Sequence, residues 1–187
     1  ILKQLYANDG VYSVLGNHDF LIYRHDLSTD EERTNEVNHL AQYEQDSLGW
    51  HVLRNAHSRI NEWLTLVGVD NKSGGGQGFH TIQAGDLSKA MEGTDGFRIL
   101  LTHDPSHWRA EVANQQPIAL TLSGHTHAGQ VKLFGWPLSA TMFRDNIGWI
   151  NATQQALYIN QGIGCTLPFR LNCPQEITVI TLKTRNE

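Results

Sequence analysis

Three times along this chain a short apolar run, rich in β-branched and aromatic residues, stops abruptly at a polar loop that carries histidine. Residues 10–15 (GVYSVL) lead into Gly16-Asn17-His18-Asp19, residues 97–101 (FRILL) into Thr102-His103-Asp104-Pro105, and residues 118–122 (IALTL) into Ser123-Gly124-His125-Thr126-His127-Ala128-Gly129-Gln130. Runs of this length and composition, bounded by turn residues, read as buried strands. Loops at strand ends, held on a rigid support, are where α/β proteins place their chemistry.

The remaining pattern agrees with an α/β chain. Residues 28–48 read as a helix opened by Ser28-Thr29-Asp30-Glu31-Glu32, which holds an N-terminal cap. Strands are predicted at 50–55, 64–69, 131–134, 157–160 and 177–182, and short helices at 87–92 and 106–114. Residues 70–78 (DNKSGGGQG) form a loop; Lys72-Ser73 precedes its glycines, the reverse of a phosphate-binding loop. No repeat or linker interrupts the sequence, so all 187 residues read as part of one domain.

Composition narrows the function classes. A formal charge of −5 gives no reason to expect nucleic acid, whose backbone needs clustered Lys and Arg, and a small anionic substrate would need metal ions to offset its charge. No apolar run is long enough to span a bilayer. Cys165 and Cys173 lack metal-site spacing and are expected as free thiols, with a single bridge left open. The chain opens at Ile1 without a signal-type stretch and is expected to be a fragment, so targeting segments are left open.

One histidine alone is weak evidence for a metal site, because most histidines pack or hydrogen bond in ordinary ways. Here Asn17, His103, His125 and His127 stand at three strand ends in one chain. Neutral imidazoles and an amide oxygen suit first-row divalent metals, and an alternating histidine pair can serve two adjacent ions. Their conjunction marks a metal site.

GNHD, then a strand-terminal HDP, then SGHTHAGQ is a motif order that resembles the calcineurin-like metallophosphoesterases, in the branch of bacterial membrane-associated phosphoesterases and UDP-2,3-diacylglucosamine hydrolases. Supporting matches are Leu53-Arg54-Asn55, Gly68-Val69-Asp70, the Gly162–Gly164 loop, Pro168 with Arg170, and Pro174 with Glu176-Ile177-Thr178. The resemblance implies the C-terminal portion of a four-layer α-β-β-α sandwich of two mixed sheets. It implies that Asn17, His103 and His125 ligate one ion and His127 a second, the ions being Mn, Fe, Zn, Co or Mg. His18, held by Asp19, would be the general acid or would stabilise the transition state. A hydroxide bridging the two metals would attack phosphorus in a small phosphorylated substrate. Nucleotide-linked and lipid-linked substrates and the oligomeric state are left open, and the resemblance suggests a cytoplasmic or membrane-associated location, with a membrane surface as an optional partner.

The resemblance has gaps. The Asp-x-His and Gly-Asp-x-x-Asp motifs that belong before GNHD are missing, and Gly85-Asp86 reads as a helix cap instead. The fragment alone is therefore expected to hold at most one ion weakly and to hydrolyse phosphate esters poorly; a non-catalytic metal-binding or interaction domain is the alternative. Ala128 stands where the branch usually has glycine, with little effect expected. His107 is read as a packing residue that has the option of lining the pocket, and Asp104 as an ordinary loop carboxylate. For the aromatic segment 134–149, core or edge packing is favoured over a lid facing substrate or membrane. Arg170 has two open roles, gripping a phosphate or fixing the loop before the last strand through a salt bridge.

Overall fold

The computed structural model describes residues 2–20, 29–75 and 82–183. Ser28, residues 76–78 of the glycine loop, His25 and His80 lie outside them. Among the described residues ten strands are seen in chain order: β1 (Tyr12–Ser13), β2 (His51–Val52), β3 (Ala56–Arg59), β4 (Leu64–Gly68), β5 (Phe97–Leu101), β6 (Leu120–Ser123), β7 (Lys132–Leu133), β8 (Trp136–Pro137), β9 (Gly148–Ala152) and β10 (Gln155–Ile159). Helix α1 spans Asp30–Tyr43 and continues as a wider turn through Glu44–Leu48; α2 spans Leu87–Met91.

Six strands form one mixed sheet in the order β3-β4-β5-β6-β10-β9. Its centre, β4-β5-β6-β10, is parallel, and β3 and β9 close the two edges antiparallel. A parallel centre must be covered on both faces, and the period-two alternation of β4 shows how. Val67 and Val69 point into a core with Leu87 and Ala90 of α2, Trp108 and Val112 of a helical turn, and Leu100, Leu157 and Ile159 of the sheet. Gly68, between them, faces the other way, where an added Cβ would lie 2.3 Å from Leu53 Cβ and 2.9 Å from Val14 Cγ1. That opposite face therefore meets the parallel pair β1-β2 at its closest approach. Beyond the pair, Leu15 and Val52 pack with Val37 and Ala41 of α1 in a second core. The layers run α1, small sheet, large sheet, α2, the α-β-β-α order expected.

Local chemistry sets the helix ends. Thr29 accepts from the Glu32 amide at 3.1 Å while Glu32 accepts from the Thr29 amide at 3.0 Å, a reciprocal cap. Gly49 ends the segment in the left-handed conformation. Asp86 caps α2 by accepting from the Lys89 amide at 3.0 Å, as read from Gly85-Asp86.

Two edge strands, β3 and β9, were absent from the predicted pattern. Ala56–Arg59 is mostly polar, with only alternate residues half-buried, so its side chains give little strand signal. Conversely, residues 177–182 form no ladder among the described residues, and Ile177 and Val179 are exposed. Their β-branched composition made them read as a strand, but strand propensity measures fit to a half-buried surface that is not there. Cys165 and Cys173 are both free thiols.

Candidate metal centre

The three histidine-bearing loops leave the sheet at neighbouring positions. Parallel pairing sets Leu101 beside Leu122 and Ile159 beside Ser123, so β5, β6 and β10 end at one rim. The Gly124 amide donates to the His103 carbonyl at 3.1 Å and the Asn160 amide to the Ser123 carbonyl at 2.9 Å, which ties the loops together. The rim at the carboxyl ends of parallel strands is the usual crevice of an open α/β sheet.

Asn17 opens a helical turn after β1 and is buried. Its Oδ1 lies 2.9 Å from His103 Nε2, and the same nitrogen lies 3.1 Å from His125 Nδ1. One neutral ring nitrogen carries either a proton or a lone pair, so it cannot complete both contacts as full hydrogen bonds. The two rings meet edge to face at 4.8 Å, and Phe143 closes the far side of His125 at 5.3 Å. Gly16 permits this packing: an added Cβ would sit 2.7 Å from three atoms of the His103 ring.

His127 lies across the same cleft, which has a volume of about 310 Å³ and is also lined by His18, Gln130 and Leu167. Its Nδ1 is buried without a hydrogen-bond partner among the described residues. Burial holds all three rings below the ordinary imidazole range. His103 falls to about 3, first through desolvation and then through repulsion by His125. His125 is lowered by burial against the opposing charge of Asp104, and His127 by burial and by the Arg170 guanidinium. At neutral pH these rings are uncharged, the form that donates a lone pair. Among the described residues no three His, Cys, Asp or Glu side chains form a metal-holding group; the third donor beside His103 and His125 is the Asn17 amide.

The loop that carries the histidine pair is backbone-strained. His125, His127, Ala128 and Gln130 all hold positive φ, from 49° to 67°, and Gly129 joins them at 66°. Left-handed conformations at non-glycine residues cost energy and cluster where surrounding contacts enforce them. Ala128, for which little effect was expected, is one of these, at φ 52° and fully buried. Gly129 admits no side chain, since a Cβ would approach the Ser139 amide to 2.6 Å.

Several sequence expectations change. Asp19 accepts from the Gly16 amide at 2.7 Å, a bond that closes its own turn, while His18 is exposed at the cleft edge. Asp104 is fully buried; its Oδ1 accepts from the Ser106 amide at 2.9 Å and its Oδ2 faces His125 Nε2 at 4.0 Å. It therefore steadies the turn and sets a buried carboxylate beside the ring, at a distance beyond hydrogen bonding. His107 does not line the cleft. It is buried between Thr102 Oγ1 at 3.0 Å and Glu111 at 3.3 Å. Arg170 fixes its loop, but through the carbonyls of Gln161, Gly162 and Gly164 rather than an ion pair. Leu53-Arg54-Asn55 and Gly68-Val69-Asp70 prove to be scaffold: Arg54 pairs with Asp70 at 3.0 Å, and Asn55 Oδ1 accepts from the Asp70 and Asp86 amides. Phe143, named within the aromatic segment, is buried against His125, whereas Gln130 was given no role beforehand; a glutamine in a loop gives no warning that it will be buried.

Comparison with known proteins supplies relatives along this whole length. The chain is 32% identical over 201 residues to the "Transmembrane protein with metallophosphoesterase domain" of Danio rerio, a match covering 97% of this chain and 40% of the relative. The chain belongs to the metallophosphoesterase family. An uncharacterized metallophosphoesterase of Aquifex aeolicus is 27% identical over 187 residues, covering 98% of this chain and 64% of its own. The phosphodiesterase YaeI of Escherichia coli is 34% identical over 88 residues, 46% of this chain and 32% of its own. No family model and no solved structure matches. This metallophosphoesterase chain spans about 40% of the length of the vertebrate relatives, and these relatives do not single out the diacylglucosamine hydrolase branch.

Proposed function

We propose that the chain is the C-terminal portion of a single metallophosphoesterase domain and carries the ligands of one divalent cation, with part of a second site, for hydrolysis of a phosphate ester or pyrophosphate bond. The observation that carries this reading is the position of His103 Nε2, in contact with Asn17 Oδ1 at 2.9 Å and His125 Nδ1 at 3.1 Å. Donor atoms about 2.1 Å from one ion, at right to tetrahedral angles, are separated by roughly 3.0–3.4 Å. Three buried, uncharged donors at nearly that spacing fit a cation better than they fit one another.

In this reading Asn17, His103 and His125 hold one ion and His127 belongs to the other; Mn, Fe, Zn, Co and Mg all suit nitrogen and oxygen donors. Bound divalent cations supply water activation and charge neutralisation at phosphorus. The chain's own residues do the rest. Asp104 sets a buried carboxylate charge 4.0 Å from the His125 ring, Phe143 and Gly16 pack the ligand rings against water, and exposed His18 at the cleft edge moves a proton to the leaving oxygen. The substrate is a small phosphorylated molecule; the word transmembrane in the name of the Danio rerio relative supports adding a membrane context to this reading.

Titration calorimetry with Mn²⁺ and Zn²⁺ tests the site. Asn17→Ala and His103→Ala should each weaken binding by about tenfold or more, and unchanged affinity in both variants would remove the basis of the proposal. Hydrolysis of an aryl phosphodiester by the protein with its upstream sequence separates an enzyme from the alternative of a non-catalytic metal-binding or interaction domain.

A further inference from the structure

We propose that the hairpin β7-β8 and the adjoining loop 163–171 form a platform that inserts into the interfacial region of a lipid bilayer. Phe134 and Gly135 make the two-residue tip, with φ of 52° and 85°, the left-handed pair that matches the twist of a tight hairpin. Phe134 is fully exposed, and Leu133, Trp136 and Leu138 around it are each about half exposed. Ile163, Leu167, Phe169 and Leu171 extend the surface, again with roughly half of each side chain in solvent.

This surface is built, not frayed. Buried Gln130 accepts from the Thr166 and Leu167 amides at 2.6 and 2.8 Å and donates to the Leu167 and Phe169 carbonyls at 3.0 and 2.7 Å. The Lys132 amide donates to the Leu171 carbonyl at 2.9 Å and Val131 bridges Leu171, which joins hairpin to loop. Contiguous exposed apolar surface held rigidly in this way marks an interaction site.

The charge pattern selects the occupant. Residues 133–143 (LFGWPLSATMF) and 163–169 (IGCTLPF) contain no charged side chain, and the exposed Arg144 follows the first of them, while Lys132 and Arg170 are held by Gln161 and by loop carbonyls. Aromatic and aliphatic groups at an uncharged projecting tip, with a cation following it in the chain, match the depth profile of a bilayer with acidic headgroups. A convex tip with a phenylalanine wholly in solvent enters acyl chains without needing a complementary groove. The claim extends the membrane context of the proposed function and is independent of metal binding, so its failure leaves the metal-site reading untouched.

The test is co-sedimentation of the full chain with vesicles of phosphatidylcholine containing about 30% phosphatidylglycerol. Wild-type protein should partition onto them, and Phe134→Ser with Trp136→Ser should reduce partitioning by at least about tenfold. Both residues are surface groups, and circular dichroism should show an unchanged fold. Phe169→Ser gives an independent second loss, whereas His18→Ala should bind like wild type. No partitioning by wild type, or equal partitioning by the tip variants, overturns the proposal. So does a lipid-free, concentration-dependent dimer that the tip substitutions abolish, since the platform would then be a surface between copies.

Discussion

His103 fixes much of what this centre can do, because its ring is buried to the point of refusing a proton until about pH 3. In the unfolded chain the same ring ionises near 6.5. Below 6.5 the unfolded state therefore takes up a proton that the folded state does not, and stability falls as pH drops from 6.5 towards 3. His107, His125 and His127 are shifted in the same direction and steepen that loss. Urea midpoints measured without metal between pH 6.5 and 5, above the range where carboxylates contribute, should fall with pH, and His103→Gln should flatten the slope. An unchanged slope would show that the ring is not desolvated. Ala128 offers a separate check. Glycine at its φ of 52° relieves left-handed strain of about 1–2 kcal/mol, while adding about 0.5–1 kcal/mol of unfolded-state entropy and losing about 0.8 kcal/mol from a fully buried methyl. Ala128→Gly should accordingly stay within about 1 kcal/mol of neutral in chemical denaturation, and a loss of more than about 1.5 kcal/mol would contradict the strain.

Among the elements, the strands that end in motifs were legible because their apolar runs and turn residues agree with one another. The sequence order of Asn17, His103, His125 and His127 likewise announced a shared rim, and the structure brings Asn17, His103 and His125 into contact around one nitrogen, with His127 in the same cleft. What stayed illegible were features set by tertiary neighbours. The edge strands β3 and β9 have half-exposed, mixed side chains; Asp104 looks like any loop carboxylate until burial is known; and the left-handed residues at 125 and 127–130 leave no compositional mark beyond Gly129. Two predictions belong at this scale. Gln130→Ala should cost about 1–3 kcal/mol, because it unsatisfies four backbone groups, and should raise amide exchange at Thr166 and Leu167 more than in α1. Gly68→Ala should cost about 1–3 kcal/mol or more by forcing the small sheet away from β4; a near-neutral result in denaturant would show that the two sheets are not in contact there.

At the scale of the whole molecule, the layers α1, small sheet, large sheet and α2 bring Asn17, His103 and His125 to one rim, with His127 in the same cleft, a set that under the proposed function favours one ion. Titration of the 187-residue chain should saturate at no more than one divalent ion, and extension upstream should raise aryl phosphodiester hydrolysis by more than about a hundredfold. Comparable rates from both proteins would mean that the described residues suffice for turnover. No helix among the described residues is long and apolar enough to cross a membrane.

The empty space above Gly16 is filled by the imidazole of His103, which makes two positions far apart in the sequence into a single steric decision. A methyl group at position 16 is admissible only after the ring at 103 has been surrendered, and with it the nitrogen on which the cluster converges. A lineage drifting through variants of this protein would have to abandon the chemistry before it could vary the turn, so the plainest residue of the motif is the one with the least room to change.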